Sequence, residues 1–381
     1  MQINEMDDDA FRSAMRNFIE MHYPGHLRYM SRRPRWKEIE PWCMALVKKG
    51  WSAPAWPVQY GGMGLSPEKL LILQDESERW GVARQFLGEH GTTQLGPMII
   101  RYGSDEQRAK LLPKMRTYEH RWCQGYSEPN AGSDLASVAT EAVLNGDDFV
   151  INGRKIWTSG AQDVHSIYML TRTDKTVKKQ LGITFLLVNL ESPGVTVRGI
   201  KNIAGSTEFC EITFDNVRTH KSNMVGELNQ GWTLAKGLLG FERVNSGNPR
   251  RAAFAFNRLE ALARERGLFE DPDFRTRYVQ LYLDLEDLKS VYSYFAGRLT
   301  RGEHLGEDLS VLKALSSETN QRITEFTLQA ASDLGSMVDK NDSSRVDPVT
   351  PYLVARNVTI GAGTTEVQRN VIAKALLGLP S

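Results

Sequence analysis

The sequence predicts an α+β protein in three parts: an N-terminal helical domain over residues 1–120, a middle β domain over 121–228 and a C-terminal helical bundle over 229–381. Apolar residues recur at helical spacing in the first and last parts. Between them, short runs rich in Val, Ile, Phe and Thr alternate with turns of Gly, Asn and Asp, which is typical of strands. No helical pattern separates these strands, so we expect a small barrel or sandwich and not a series of βαβ units.

The N-terminal part begins with an amphipathic helix, in which Phe11, Met15 and Ile19 share one face. A later helix is predicted to start at Ser66–Glu68, where a capping serine precedes a proline and an acidic residue. The loop before it, residues 51–64, is dense in Pro, Gly and Trp. We interpret its tryptophans as structural anchors.

The stretch from Cys123 to Ala161 carries most of the functional information. A predicted strand leads into the loop Ser-Glu-Pro-Asn-Ala-Gly-Ser-Asp, residues 127–134. Gly132 would let the backbone approach a ligand closely. Ser127 and Ser133 can donate hydrogen bonds to a polar ring or a phosphate. The composition of this loop therefore predicts a binding loop.

A hairpin follows, with its turn at Asn145–Asp148. Its second strand ends in Lys-Ile-Trp-Thr-Ser-Gly and delivers Trp157, Thr158 and Ser159 near the binding loop. A tryptophan face beside two hydroxyls suits a planar heteroaromatic ligand. The alternative is an ordinary hairpin with a Ser/Gly loop and a tryptophan in the core.

The composition excludes several classes of protein. The net charge of +1 gives no reason to expect nucleic-acid or membrane binding. Three scattered cysteines match no metal site and indicate a reducing compartment. The acidic N-terminus resembles no signal peptide, and no run reaches the roughly 20 apolar residues that span a bilayer. We expect a cytoplasmic protein without a bound metal.

The C-terminal part contains long helical runs without internal proline, Arg277–Arg298 and Leu309–Asp333, which are expected to pack as a bundle. An earlier helix, starting near Trp232, places Glu242 on the same face as Leu238 and Leu239. A carboxylate on an apolar face is costly to bury unless it has a partner or a role.

Two roles fit Glu242. An ion pair with Arg243 or Arg250 is the interpretation that spacing alone favours. The other is a general base, because burial would raise the pKa of the carboxyl toward the range that such a base needs.

The two motifs at 127–134 and 155–160 resemble the signature of the acyl-CoA dehydrogenase flavoprotein family, and the resemblance covers nearly the whole chain. It implies a helical N-terminal domain, a β-barrel or sandwich domain and a C-terminal four-helix bundle. It also implies FAD as cofactor, an acyl-CoA as substrate and an electron-transfer flavoprotein as partner. The assembly implied is a homotetramer or an α2β2 heterotetramer.

The resemblance assigns site residues by position. The residues implied to bind the cofactor are Gln124, Tyr126, Ser127, Gly132, Ser133, Trp157, Thr158, Ser159, Arg266, Thr364 and Glu366. The residues implied to bind the substrate are Ser133, Arg243, Ala362 and Gly363.

The position of the base differs from that in many family members. Their base lies near the C-terminus, where this chain has Ala362, which cannot accept a proton. In the isovaleryl and long-chain branches the base instead precedes an arginine on the middle helix, and Phe241-Glu242-Arg243 matches that arrangement. The resemblance therefore implies that Glu242 removes the α-proton while the β-hydrogen leaves as hydride, giving a trans-2-enoyl-CoA. The backbone N–H at 362 would remain a donor to the thioester carbonyl.

Two segments depart from the family pattern. The family's Arg-x-x-Phe-Gly becomes Arg266-Gly-Leu-Phe269 followed by Glu270, and its Gly-Gly-x-Gly becomes Ser332–Gly335. Both are expected to meet the adenine end of a neighbouring subunit's flavin. Some bacterial relatives pair two different subunits that each lend half a flavin site. This chain is then either one subunit of such a heteromer or part of a homo-oligomer.

Three alternatives remain open from the sequence. One is a flavin monooxygenase or oxidase on the same fold, although such relatives commonly lose the base. Another is a nucleic-acid-binding relative, which would need a basic surface that a net charge of +1 does not indicate. The third is a partner subunit whose catalysis is shared with, or resides in, the other chain.

Overall fold

The computed structural model describes residues 3–30, 32–82, 90–237, 247–303, 305–336 and 347–380. The chain divides into two compact units, Met1–Leu238 and Leu239–Ser381. The first unit contains the helical N-terminal part and the β domain, and the second contains the C-terminal helices.

Five α-helices open the first unit: α1 Asp8–His22, α2 Trp36–Lys49, α3 Pro67–Arg79, α4 Gly96–Tyr102 and α5 Asp105–Arg116. Their ends follow local signals. Gly50 terminates α2 at a φ of 79°. The Ser66 hydroxyl caps α3 by accepting the Lys69 N–H, as the sequence predicts.

The helices α1 to α3 enclose one apolar core, built around Phe11, Trp42 and Leu46. The loop over 51–65 is anchored by its tryptophans. Trp51 and Trp56 are both buried, and the Trp56 indole N–H donates to the Thr92 carbonyl at 2.8 Å. The structural role that the sequence suggests for these tryptophans is confirmed.

The β domain is a single seven-stranded mixed sheet. Its strands are β1 Trp122–Gly125, β2 Glu141–Asn145, β3 Asp148–Ser159, β4 Ser166–Arg172, β5 Ile183–Asn189, β6 Val195–Ile200 and β7 Phe209–His220. The order is β1-β4-β2-β3-β7-β6, with β5 paired to β4. The predicted hairpin is β2–β3, with Asn145 opposite Asp148 and Gly146 at a φ of 67°.

Both faces of the sheet are covered at β4 and β5, whose side chains are almost all buried. One face packs against α4 and α5 through residues such as Leu112 and Tyr168. The other closes over Phe149, Ile212 and Phe214. Strands buried on both faces are mostly apolar, and the centres of β4 and β5, residues 167–170 and 185–188, accordingly show no alternation of polar and apolar positions.

The second unit is helical: α6 Arg250–Arg266, α7 Pro272–Thr300, α8 Leu309–Ala330, α9 Val349–Ala355 and α10 Thr365–Val371. Its core lies between α6, α7 and α8 and contains Leu259, Leu285 and Ile323. A 3₁₀ turn, Ser332–Ser336, follows α8, so the helix ends slightly before the predicted limit at Asp333. Among the helices of the described ranges, none has the length and apolar character that a membrane span requires.

Candidate functional site

The loop after β1 is a tight turn. The Glu128 N–H donates to the Ala131 carbonyl and the Ala131 N–H returns to the Glu128 carbonyl, each at 3.0 Å. Gly132 and Ser133, which follow this turn, are exposed. Nothing lies within 4 Å of a Cβ built on Gly132, and its φ is not positive. The chain itself therefore imposes no need for glycine at 132, and ligand approach stays a prediction.

The end of β3 carries an unusual backbone. Its pairing with β7 shifts register between Lys155 and Thr158, which places a bulge at this point. Trp157 lies in the bulge with a φ of 60°, a costly conformation for a residue with a Cβ. Its side chain is 56% exposed, and its ring meets the edge of the Phe209 ring at 6.2 Å between centroids. A core tryptophan, the alternative that the sequence left open, is therefore wrong.

Thr158, the next residue, contrasts with Trp157. It is only 2% exposed, and its hydroxyl has no hydrogen-bond partner among the described residues. A buried hydroxyl without a partner is unfavourable, so such an atom calls for a ligand or a water. Ser159 beside it is partly exposed. The pattern at 157–159 therefore combines an aromatic face with an unsatisfied hydrogen-bonding group.

The structure brings the loop and the end of β3 together. The Ile156 N–H donates to the Ser127 carbonyl at 2.9 Å. Beside this contact, the Lys155 ammonium lies 2.7 Å from Glu128 Oε1 and donates to the Tyr126 carbonyl at 3.3 Å. Neither Glu128 nor Lys155 is predicted from the sequence as a site residue. The available signal was a lysine on the same alternating face of the strand as Phe149 and Ile151.

Two other predicted residues lie on or next to β1. Gln124 is partly buried within the strand. The Tyr126 ring is buried in the core, where it meets Tyr168 and Phe185 edge-on. The backbone of Tyr126 thus lies next to the loop, while its ring packs in the core against the sheet.

A hydrogen-bond network that the sequence did not predict lies beside the end of β3. The Arg33 guanidinium approaches within 3.3 Å of a Cβ built on Gly160 and donates to His90 Nε2 at 3.1 Å. His90 Nδ1 therefore carries the proton and donates to Gln94 Oε1 at 2.8 Å, an oxygen that also accepts from the Tyr168 hydroxyl. Burial, with Arg33 nearby, lowers the pKa of His90 to about 4, so this imidazole is neutral at pH 7.

In the second unit, the predicted residues 362–366 form one turn and the start of α10. Ala362 and Gly363 have φ values of 56° and 85°, and the Gln368 side-chain amide spans both of their carbonyls at 3.5 and 3.4 Å. The Thr364 hydroxyl caps α10 by accepting the Val367 N–H at 3.1 Å. Glu366 is exposed. The Ala362 N–H makes no hydrogen bond among the residues that the structure describes.

A buried lysine on α8 contacts the segment that precedes this turn. Lys313 donates to the Val358 carbonyl at 3.1 Å. Burial lowers the pKa of Lys313 to about 8, and the Glu366 carboxylate opposes that change. Lys313 was not anticipated from the sequence, because its partner is a backbone atom 45 positions away.

The two segments that depart from the family pattern, residues 266–270 and 332–335, contact each other. Arg266 Nη1 donates to the Ala331 carbonyl at 2.8 Å and to Asp333 Oδ1 at 2.9 Å. The guanidinium predicted to reach a flavin therefore already pairs with a carboxylate of its own chain. Glu242 and Arg243 lie outside the described residues, so their predicted roles stay predictions.

Comparisons with known proteins identify the family. Residues 5–119, 123–217 and 229–377 match the N-terminal, middle and C-terminal domains of acyl-CoA dehydrogenase. The acyl-CoA dehydrogenase IpdE1 of Mycolicibacterium smegmatis is 36% identical over 356 residues, which cover 90% of this chain and 89% of that protein.

Solved structures agree with this result. The Tcur3481-Tcur3483 steroid ACAD matches with a TM-score of 0.89 at 28% identity, covering 100% of both chains. The ChsE4-ChsE5 complex from Mycobacterium tuberculosis matches with a TM-score of 0.83 at 26% identity, again over 100% of both chains. The chain therefore belongs to the acyl-CoA dehydrogenase family of oxidoreductases.

Proposed function

We propose that this chain catalyses the FAD-dependent α,β-desaturation of an acyl-CoA to a trans-2-enoyl-CoA and passes the electrons to an electron-transfer flavoprotein. The observation that carries the proposal is the pair of neighbours Trp157 and Thr158: an exposed indole on a strained bulge and a buried hydroxyl without a partner. The family is flavin-dependent in general. A flavin ring against the indole would give the Thr158 hydroxyl its missing acceptor.

The described residues fit such a cofactor. Ser127, Ser133 and Ser159 offer accessible or partly accessible hydroxyls on the loop and strand that meet at Ile156. Thr364 and Glu366 stay predicted cofactor-binding residues. When bound, the flavin supplies the hydride acceptor, and the protein supplies orientation and electrostatics.

The chain's own residues would handle the proton and the developing charge. Glu242 would take the α-proton, since Ala362 has only a methyl group. Loss of that proton builds negative charge on the thioester oxygen, which needs a positioned donor. The Ala362 N–H, exposed on its turn and without a partner among the described residues, would donate to that oxygen.

Anaerobic reduction of the flavin tests the proposed reaction. The holoenzyme should lose its visible flavin absorbance when mixed with a suitable acyl-CoA, and the enoyl-CoA product should form in equal amount. The panel should vary in chain length and bulk and include a steroid-derived thioester, because one structural relative is named a steroid ACAD. An acyl-CoA whose α-carbon bears no hydrogen is the matched control and should leave the flavin oxidised. Product formation only in the presence of oxygen would instead support a monooxygenase or oxidase.

We also propose that the chain is one subunit of an α2β2 heterotetramer. Two observations support this. Arg266 is held by Asp333 of its own chain, which opposes a role at a neighbour's adenine. Two solved relatives carry the names of two proteins, Tcur3481-Tcur3483 and ChsE4-ChsE5.

Purification of the chain alone should therefore give a protein with clearly less than one FAD per chain. Co-expression with a second acyl-CoA dehydrogenase chain should raise that ratio. The measurement is flavin absorbance against protein concentration, combined with light scattering for the mass of the assembly. A homotetramer that retains one FAD per chain would contradict the heteromer, although the proposed reaction would be unaffected.

A further inference from the structure

Three charged side chains are buried together behind the loop that follows β1. Lys155 is 0% exposed, and Glu128 and Arg172 are each 7% exposed. They come from three different parts of the β domain: the loop itself, β3 and the end of β4. Charged residues are rarely buried so fully unless they are paired and hydrogen-bonded.

Both carboxylate oxygens of Glu128 accept hydrogen bonds. Its Oε1 accepts from Lys155 at 2.7 Å and from the Thr140 N–H at 3.0 Å, and its Oε2 accepts from the Ala139 N–H at 2.6 Å. Burial by itself would raise the pKa of Glu128, but Lys155 and these N–H groups lower it overall. The carboxylate is therefore ionised, and it ties the loop to residues 139–140.

Lys155 extends the connection to the start of the loop. Its ammonium also donates to the Tyr126 carbonyl at 3.3 Å. The neighbouring Ile156 N–H bonds the Ser127 carbonyl. Residues Tyr126, Ser127 and Glu128 of the loop are therefore held by β3. The contacts on β3 are made at 155–156, directly before the bulge at Trp157.

Arg172 adds a second cation to this cluster. Its guanidinium donates to the carbonyls of Val138 at 3.1 Å, Ala136 at 2.6 Å and Lys179. Arg172 forms no ion pair among the described residues. The carboxylates of Glu128 and, more weakly, Asp174 attract it electrostatically, and Asp174 also accepts hydrogen bonds from Thr176. Among the buried groups of this cluster, two cations thus face one carboxylate, and the further negative charge of Asp174 lies closer to solvent.

We infer that Lys155 and Glu128 are positioning residues for the loop that binds the flavin. Arg172 provides a buried positive charge that favours the reduced, more negatively charged state of a flavin bound at this loop. The inference rests on the proposed function, which it deepens. The ion pair sets the position of Ser127 relative to Thr158. Reduction adds negative charge to a bound flavin, and a cation in a medium of low dielectric constant stabilises that charge more than water-screened cations do.

Lys155→Met tests the positioning role in the holoenzyme. Loss of the ammonium leaves Glu128 buried without its partner, so the loop should shift and FAD should bind at least about tenfold more weakly. The readouts are the FAD dissociation constant from flavin fluorescence and the shape of the visible flavin spectrum. Lys155→Arg, which keeps the charge, should restore most of the affinity.

Lys175→Met is the matched control. It removes a lysine that pairs with Glu141 at 2.8 Å in the same domain, but this pair is largely exposed and its loss should leave FAD affinity unchanged. Glu128→Gln combined with Lys155→Met should bind FAD more tightly than Lys155→Met alone, because no unpaired carboxylate then remains buried.

Arg172→Gln tests the electrostatic role, because it removes the buried positive charge while keeping hydrogen-bond donors. The flavin midpoint potential should become more negative, as measured by spectroelectrochemistry, while Lys175→Met should not change it.

Unchanged FAD affinity in Lys155→Met together with an unchanged potential in Arg172→Gln would overturn the inference. If Lys155→Met does not fold, Arg172→Gln and Lys155→Arg decide. A wild-type protein that binds FAD but desaturates no acyl-CoA would remove the proposed reaction and leave this inference standing.

Discussion

Glu242→Gln should lower the rate of acyl-CoA desaturation by about 10²- to 10⁴-fold, the range that a positioned general base contributes. Glutamine has nearly the same shape but cannot accept the α-proton. Binding of the thioester should change little, because the substitution keeps the volume of the side chain. The measurement is single-turnover flavin reduction under anaerobic conditions, with substrate affinity taken from the concentration dependence of the rate.

Two further variants sharpen this test. Glu242→Asp keeps a carboxylate on a shorter side chain and should retain more activity than Glu242→Gln. Ala362→Glu in the Glu242→Gln background places a carboxylate at the position that many family members use and should recover part of the rate. Desaturation by Glu242→Gln at close to the wild-type rate would contradict the assignment of the base.

The second large effect is expected for stability. Trp56→Ala should lower the free energy of unfolding of the N-terminal unit by about 3–5 kcal/mol, the usual cost of deleting a large buried aromatic side chain. The indole is buried, donates to the Thr92 carbonyl and packs so closely on Gly96 that a Cβ there would lie 2.0 Å from the ring. Chemical denaturation followed by far-UV circular dichroism provides the measurement.

Gly96→Ala tests the same contact from the other side. In the wild-type background it should destabilise the protein, because the added methyl group collides with Trp56. In the Trp56→Ala background the same substitution should cost much less, so the double-mutant cycle should show a large coupling energy. Trp56→Phe, which keeps a ring and loses the N–H, should cost less than Trp56→Ala. Additive effects of Trp56→Ala and Gly96→Ala would contradict the proposed packing.

The N-terminal and β parts of the fold were largely predictable because their signals are local. The cap at Ser66, the terminator at Gly50 and the turn at Gly146 each depend on a residue and its immediate neighbours. Strand and helix periodicity likewise needs only a short window of sequence. Family membership followed from two short motifs and is confirmed by the comparisons.

The candidate site was predictable only in part. The sequence indicated that Trp157 and Thr158 lie near the loop at 127–134, but it did not decide whether the indole is buried or exposed. That depends on the bulge, which arises from the pairing of β3 with β7 and has no signal within β3 itself. The assignment of Glu242 as the base remains a prediction from the resemblance.

By itself, the sequence determined the division into helical, β and helical parts, the family and the residue types available to the site. The tertiary structure alone decided which charged groups meet. Lys155 and Glu128 are 27 positions apart, and Arg266 and Asp333 are 67 apart. The physical reason is that the partner of a buried charge is set by strand register and helix packing, which depend on the whole chain.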